Sequence, residues 1–201
     1  SLAGIILLTF GTNLLFYLMY EPVTSHVPSL FLFTTFLWLW EKDNNKTTVF
    51  LGIVAGLLVA TRPQDMVLIL PFLVIQFLHN KKSFLIITLV GILTFLPQIL
   101  VWQKLFGSIA RIPYVTGGEA GSLTFLPTHL WEVLFSIRHG LFLWTPLLVL
   151  GLWGLRFFSN LKLAKLLLLG FVLEVFVTSS WSQWWQGVSF GGRFFVSSLP
   201  L

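Results

Sequence analysis

Leu141-Phe142-Leu143-Trp144-Thr145-Pro146-Leu147-Leu148-Val149-Leu150-Gly151-Leu152-Trp153-Gly154-Leu155 is a continuous, strongly apolar run without a single charge. Strands of a membrane barrel alternate apolar and polar residues over about ten positions, and this run does not alternate. The whole chain shares its character: 56% of the 201 residues are hydrophobic and 9% are charged, well outside ordinary soluble usage. Such a composition calls for lipid as solvent, where backbone groups must find partners within the chain. Of the two structures that satisfy this condition, helices and closed barrels, the pattern selects helices.

Measured against a hydrocarbon core that takes about 20 helical residues, the apolar runs divide into Leu2–Tyr20, Val27–Trp40, Thr48–Ala60, Met66–Leu78, Ser83–Gln103, His139–Leu155, Leu163–Ser180 and a start at Phe194. The expected fold is all-α: a polytopic transmembrane bundle of seven to eight spans, one domain over 1–201, with one longer extracytoplasmic loop at 104–138. Thr48–Ala60 and Met66–Leu78 are short enough to be re-entrant. The chain begins without methionine inside one apolar run and stops inside another, which reads as an internal piece of a longer protein.

Charge placement adds a direction. Lys42 and Lys46, Lys81 and Lys82, and Lys162 and Lys165 fall in alternate connections, so the positive-inside rule puts all three on the cytoplasmic side. Arg62, Arg111, Arg138 and Arg193 fall on the other side, and Arg156 with the lysines. The guanidinium fork suits phosphate and carboxylate, which points to an anionic ligand at the arginine side; interfacial anchoring, or pairing with Asp65, Glu119 and Glu132, is the plainer reading. The net charge of +5 is dispersed among apolar runs rather than gathered into a stripe, which argues against nucleic acid. With no cysteine there is no disulfide, thiolate site or cysteine nucleophile.

Four places carry candidate chemistry. The turn Glu21–His26 offers a carboxylate and an imidazole, although Thr24, Ser25 and Pro28 there are explained by helix capping alone. Arg62 and Asp65, three residues apart, form a candidate ion pair, either lining a cavity or clamping the fold. In the stretch 104–138, Gly117–Gly121 is a candidate mobile loop, and Phe125, Leu126, Leu130, Trp131, Leu134 and Phe135 have the spacing of an interfacial helix. Lastly, Trp181 to Arg193 joins Trp184, Trp185 and Gln186 to glycines and Arg193, more than an aromatic belt requires. Aromatic faces stack on sugar rings and amides bond hydroxyls. Glu174 lies inside an apolar run, where an acid is costly unless partnered.

Three segments together carry a family resemblance: the turn Glu21–His26, the stretch Gly52-Ile53-Val54-Ala55-Gly56-Leu57-Leu58-Val59-Ala60-Thr61-Arg62-Pro63, and Trp184-Trp185-Gln186-Gly187-Val188-Ser189-Phe190-Gly191-Gly192-Arg193-Phe194-Phe195 followed by Pro200. The chain resembles the GT-C superfamily of membrane glycosyltransferases, which includes protein O-mannosyltransferases and lipid A aminoarabinose transferase. The resemblance implies transfer of a sugar from a polyprenyl-phosphate donor in membrane lipid to an extracytoplasmic glycan, lipid or protein acceptor. It implies a multi-pass protein of a bacterial cytoplasmic membrane with its active side extracytoplasmic. Glu21 and His26 become candidates near the reaction centre, Arg62 and Arg193 candidates for the phosphate, and Arg138 and His139 further candidates. A divalent metal is an option that the sequence does not require. In this family the principal acid sits in the first outer loop, and no such loop precedes Ser1.

Two other functions compete. A transporter would place polar groups at mid-membrane, where only Glu174 and the Arg62/Asp65 pair serve, and would often show repeats, of which none is visible. A non-catalytic scaffold subunit fits the missing acid.

Overall fold

A computed structural model describes residues 2–42, 45–107, 122–187 and 190–200. Its helices are α1 (Leu2–Phe10), α2 (Leu14–Met19), α3 (His26–Lys42), α4 (Asn45–Thr61), α5 (Met66–His79), α6 (Lys81–Phe106), α7 (Leu130–Phe135), α8 (Leu141–Trp144), α9 (Leu147–Gly154) and α10 (Leu161–Ser179). Short 3₁₀ turns occur at Pro63–Asp65, Leu155–Phe157 and Arg193–Val196. The all-helical class stands, and among the described residues the only strand-like feature is one bridge between Leu123 and Trp181.

The expected seven to eight spans do not. Only α6, with 26 residues, is long and apolar enough to cross a membrane among the described residues. Each other run fails for a local reason. Leu2–Tyr20 breaks at Gly11-Thr12-Asn13, where Thr12 Oγ1 donates to Leu8 O at 2.6 Å and accepts from Leu14 N at 3.2 Å. His139–Leu155 breaks at Thr145-Pro146: the residue before proline is pushed out of the α region, and Thr145 sits at φ −137°, ψ 64°. The helices α3 and α4 have 17 residues and α5 has 14, about 25 and 21 Å at 1.5 Å per residue, short of a core about 30 Å thick. α10 has the length, 19 residues, but carries Lys162, Lys165 and Glu174. Beyond Arg193 the chain forms a 3₁₀ turn and further turns rather than a helix. The multi-pass integral location, and the bacterial cytoplasmic membrane with an extracytoplasmic active side inferred from it, are corrected with the span count.

The core lies where α3, α4, α5 and α10 meet. Phe33, Phe36, Leu58, Leu68, Ile69 and Phe72 are almost wholly buried there, with Leu163 and Leu167 of α10 closing the cluster. Phe36 and Trp40 meet Phe72 edge to face, at ring-centroid distances of 5.5 and 5.0 Å. α6 is clamped to α4 through small residues: a Cβ on Gly56 would stand 2.5 Å from the Gly91 carbonyl, and one on Gly52 would stand 2.7 Å from Val90. Only glycine permits that approach. The outward side of α6 is apolar and uncovered, with Leu85, Leu89, Leu93 and Leu100 exposed.

Because α3, α4, α5 and α6 alternate in direction, the bundle has two chemically distinct ends. Lys162, His79 and Glu41 gather around one cavity with Asn80 and Asn160, whose side chains cap α6 and α10. Arg62 and Arg193 gather at the other. Of the basic residues sorted by the connections, Lys162 lines the first cavity and Arg62 and Arg193 the second. The interfacial helix over Phe125–Phe135 reduces to the six-residue α7, with Phe125 and Leu126 exposed outside it. Arg111, Glu119 and Gly117–Gly121 lie outside the described residues.

Candidate functional site

The arginine-end site begins with a proline. Pro63 forces the residue before it off the helix, and Arg62 takes extended angles, φ −147° and ψ 101°, where α4 stops. Its side chain then turns inward, 97% shielded from solvent at 3% exposure. Asp65, at the end of the 3₁₀ turn, is fully buried beneath it, with Arg62 Nε 3.8 Å from Asp65 Oδ1. The expected Arg62/Asp65 pair exists, and its geometry is a long ionic contact rather than a bidentate fork.

Two serines complete the pair. Ser29 of α3 and Ser197, just beyond the Arg193–Val196 turn, both donate to Asp65 Oδ2, the latter at 2.5 Å, and Arg62 Nη1 donates to Ser197 Oγ at 3.0 Å. Asp65 thus belongs to the floor, and the cavity above is lined by its neighbours. That cavity, about 390 Å³, is formed by Thr24, Ser25 and His26 at the start of α3, by Thr61–Gln64 at the α4–α5 corner, and by Trp181, Gln183, Gln186, Arg193 and Phe194.

Three donor nitrogens of residues that line it are buried and have no hydrogen-bond partner among the described residues, Arg62 Nη2, Arg193 Nε and Gln186 Nε2; His26 Nδ1, a donor or an acceptor according to the tautomer, has none there either. A buried donor left unpaired costs about 1–3 kcal/mol, so a cluster of them around one opening marks a place where a ligand's acceptors belong. Gln186 is held for this role by its own Oε1, which accepts from Phe194 N at 2.7 Å. Gly187 follows at φ +84°, and a Cβ there would stand 2.8 Å from Arg193 Nη2. The glycine makes room for the guanidinium.

His26 is pushed down to about 3, by burial first and then by the positive charges of Arg62 and Arg193, against a smaller opposing effect of the Arg193 carbonyl. The ring is neutral at ordinary pH. Tyr17 packs against it at 4.8 Å between centroids, and Tyr17 Oη donates to Phe190 O at 2.7 Å, tying α2 to the segment that carries Arg193. Deeper still, Glu174 of α10 has no hydrogen-bond partner at either oxygen among the described residues. Burial raises its carboxyl well above the usual range, and the charge of Asp65 adds to the rise. Ser198 lies close enough to oppose this slightly, but its hydroxyl is directed at Phe195 O, 2.9 Å away.

The remaining candidates stand apart from the cavity. Glu21 is half-buried, with its main-chain carbonyl accepting from Thr24 N and Oγ1, and its side chain is not among the lining groups. Arg138 is exposed over the Trp185 ring at 5.0 Å, and His139 Nδ1 lies 2.5 Å from the Trp185 carbonyl. Trp184 stacks on His129 at 6.0 Å and packs against the cluster of Val133, Leu141 and Phe171. Arg138, His139, Trp184 and Trp185 therefore brace the segment that presents Gln186. Among the described residues no three His, Asp or Glu side chains come together to hold a metal, and no step is assigned to one.

Of the residues named from the sequence, the structure places His26, Arg62, Gln186 and Arg193 on one cavity, with Asp65 below it, and Trp181 and Gln183 of the Trp181–Arg193 segment on its walls. Ser29 and Ser197 were not named from the sequence as partners of Asp65. The adjacent Ser197 and Ser198, polar intrusions in the apolar stretch after Phe194, were the available signal. Fold and site together define an all-helical protein with a buried, donor-rich cationic pocket at one end of its bundle. No family model, curated protein or solved structure matches the chain.

Proposed function

We propose that the Arg62/Arg193 cavity binds the phosphate of a phosphate-linked sugar and that the protein takes part in transferring that sugar to an acceptor hydroxyl. The observation that carries this reading is the gathering of Arg62, Arg193 and Gln186 around one cavity, with Arg62 Nη2, Arg193 Nε and Gln186 Nε2 buried and lacking hydrogen-bond partners among the described residues. Two guanidinium groups and an amide suit the oxygens of a phosphate, and Trp181 supplies an aromatic wall for a sugar ring. The resemblance to GT-C glycosyltransferases supplies the donor class, a polyprenyl-phosphate sugar.

In the proposed step the acceptor oxygen attacks the anomeric carbon. The bond from that carbon to the phosphate oxygen breaks, its electron pair leaves on the phosphate, and the arginines stabilise the charge that develops there. The acceptor proton passes to a base, for which His26 Nδ1 is the group in the cavity. Burial is the larger cause of the low basicity of His26 and the two arginine charges come after it, and a bound anion offsets the arginine part.

The test measures sugar transfer from a polyprenyl-phosphate donor by the full-length protein. Arg193→Ala is expected to lower transfer about 10- to 100-fold, the loss that follows removal of a hydrogen bond to a charged group. Glu21→Ala, outside the cavity, is expected to retain most of the rate. Wild-type transfer by Arg193→Ala, or loss confined to Glu21→Ala, would overturn the assignment.

A further inference from the structure

Arg62 offers three nitrogens, and the fold uses two of them. Nη1 donates to Ser197 Oγ at 3.0 Å, Nε faces Asp65 at 3.8 Å, and Nη2 has no hydrogen-bond partner among the described residues. The direction of each bond is fixed by proton inventory. A serine hydroxyl has one proton to give, and Ser197 Oγ, already accepting from the guanidinium, directs its proton at Asp65 Oδ2 at 2.5 Å. Ser29 gives its proton to the same oxygen, so the 3.2 Å approach of the two serine oxygens is a by-product of their shared acceptor. Ser197 follows directly on the Arg193–Val196 turn and is fully buried. It is the point where the element bearing one cavity arginine touches the side chain of the other.

We propose that Ser197 is a positioning residue that fixes the separation of the Arg62 and Arg193 guanidinium groups, so that both meet a single bound phosphate. This rests on the reading of the cavity as a phosphate site. It assigns a role to a residue that touches no ligand: without the Ser197 hydroxyl, Arg62 Nη1 loses its partner, and the guanidinium is left with the long Nε contact to Asp65 and the Phe194 ring to orient it.

Inorganic phosphate is the probe, titrated calorimetrically into the purified full chain as wild type, Ser197→Ala, Arg62→Ala and the double variant. Ser197→Ala is expected to weaken phosphate about tenfold or more, the scale of a lost charge-assisted hydrogen bond. The double variant is expected to bind within about twofold of Arg62→Ala alone, because residues acting through one another are not additive. Unchanged affinity in Ser197→Ala overturns the proposal, and so does a further tenfold loss in the double variant, which a merely structural role would give. Where Ser197→Ala fails to fold, the near-isosteric Ser197→Cys takes its place under the same criteria. Absence of phosphate binding by the wild type overturns the phosphate reading itself, which separates that failure from failure of the Ser197 assignment.

Discussion

Gln186 has φ +61°, and among the described residues it is the one non-glycine with a positive value. The left-handed region costs an L-residue about 1–2 kcal/mol, and here the conformation is held by the Phe194 N–H on Oε1 at 2.7 Å. The strained backbone sets Gln186 among the residues lining the cavity and lets the chain turn into Gly187. Gly187→Ala separates two effects at this turn. Its φ of +84° predicts a stability loss of about 1–2 kcal/mol, read from denaturant titration. The new Cβ also falls 2.8 Å from Arg193 Nη2, the end of a flexible side chain, which yields by moving. Phosphate affinity, and sugar transfer where assayed, is therefore expected to fall about tenfold or more as the guanidinium shifts. A variant destabilised as predicted yet with unchanged phosphate affinity would show that Arg193 is not poised on that cavity by Gly187.

At the level of elements, the α4–α6 contact tests whether close backbone approach holds the bundle. Gly56→Ala would put a Cβ 2.5 Å from the Gly91 carbonyl and 2.7 Å from Thr94 Cβ, neither of which retreats without moving a helix. The expected cost is about 1–3 kcal/mol. Gly154→Ala, at the end of α9 with nothing within 4 Å, is the control and is expected to be neutral or stabilising by up to about 1 kcal/mol. Equal effects on the denaturation midpoints would sink the argument. The elements also show what was legible in the sequence. Apolar runs announced helices, and the order of charged connections announced two unlike ends. The span count failed because average hydropathy passes over Thr145-Pro146 and Gly11-Thr12-Asn13, which divide apolar runs without making them polar. The serines that complete the Arg62/Asp65 pair were illegible for a different reason: Arg62 and Ser197 stand 135 positions apart, and a small hydroxyl in an apolar run leaves no periodic trace.

For the whole molecule, two buried groups of opposite type set how stability depends on pH. His26, depressed from 6.5 to about 3, is neutral in the fold while the unfolded chain takes up a proton below 6.5. It contributes stability that is complete above 6.5 and is lost as pH falls toward 3, at about 1.4 kcal/mol per pH unit. Glu174, raised by burial and by Asp65, stays protonated in the fold while the unfolded chain ionises above 4.5. Its contribution is complete below 4.5 and is lost as pH rises toward its elevated folded value, at the same limiting slope. Below 4.5 the His26 slope acts alone, and above 4.5 the Glu174 slope opposes it. Equilibrium unfolding across pH 3–8, compared variant by variant, isolates each slope from the titration of other groups. The stability of wild type relative to His26→Gln is expected to decline steadily as pH falls from 6.5 and to be constant above it. Relative to Glu174→Gln, it is expected to be constant below 4.5 and to decline as pH rises. Parallel curves for His26→Gln would mean the ring is hydrated or already paired with an anion. A Glu174→Gln curve parallel to wild type would place an ionised carboxylate beside Asp65, and the positive balance of the cavity floor, on which anion binding depends, would fail with it.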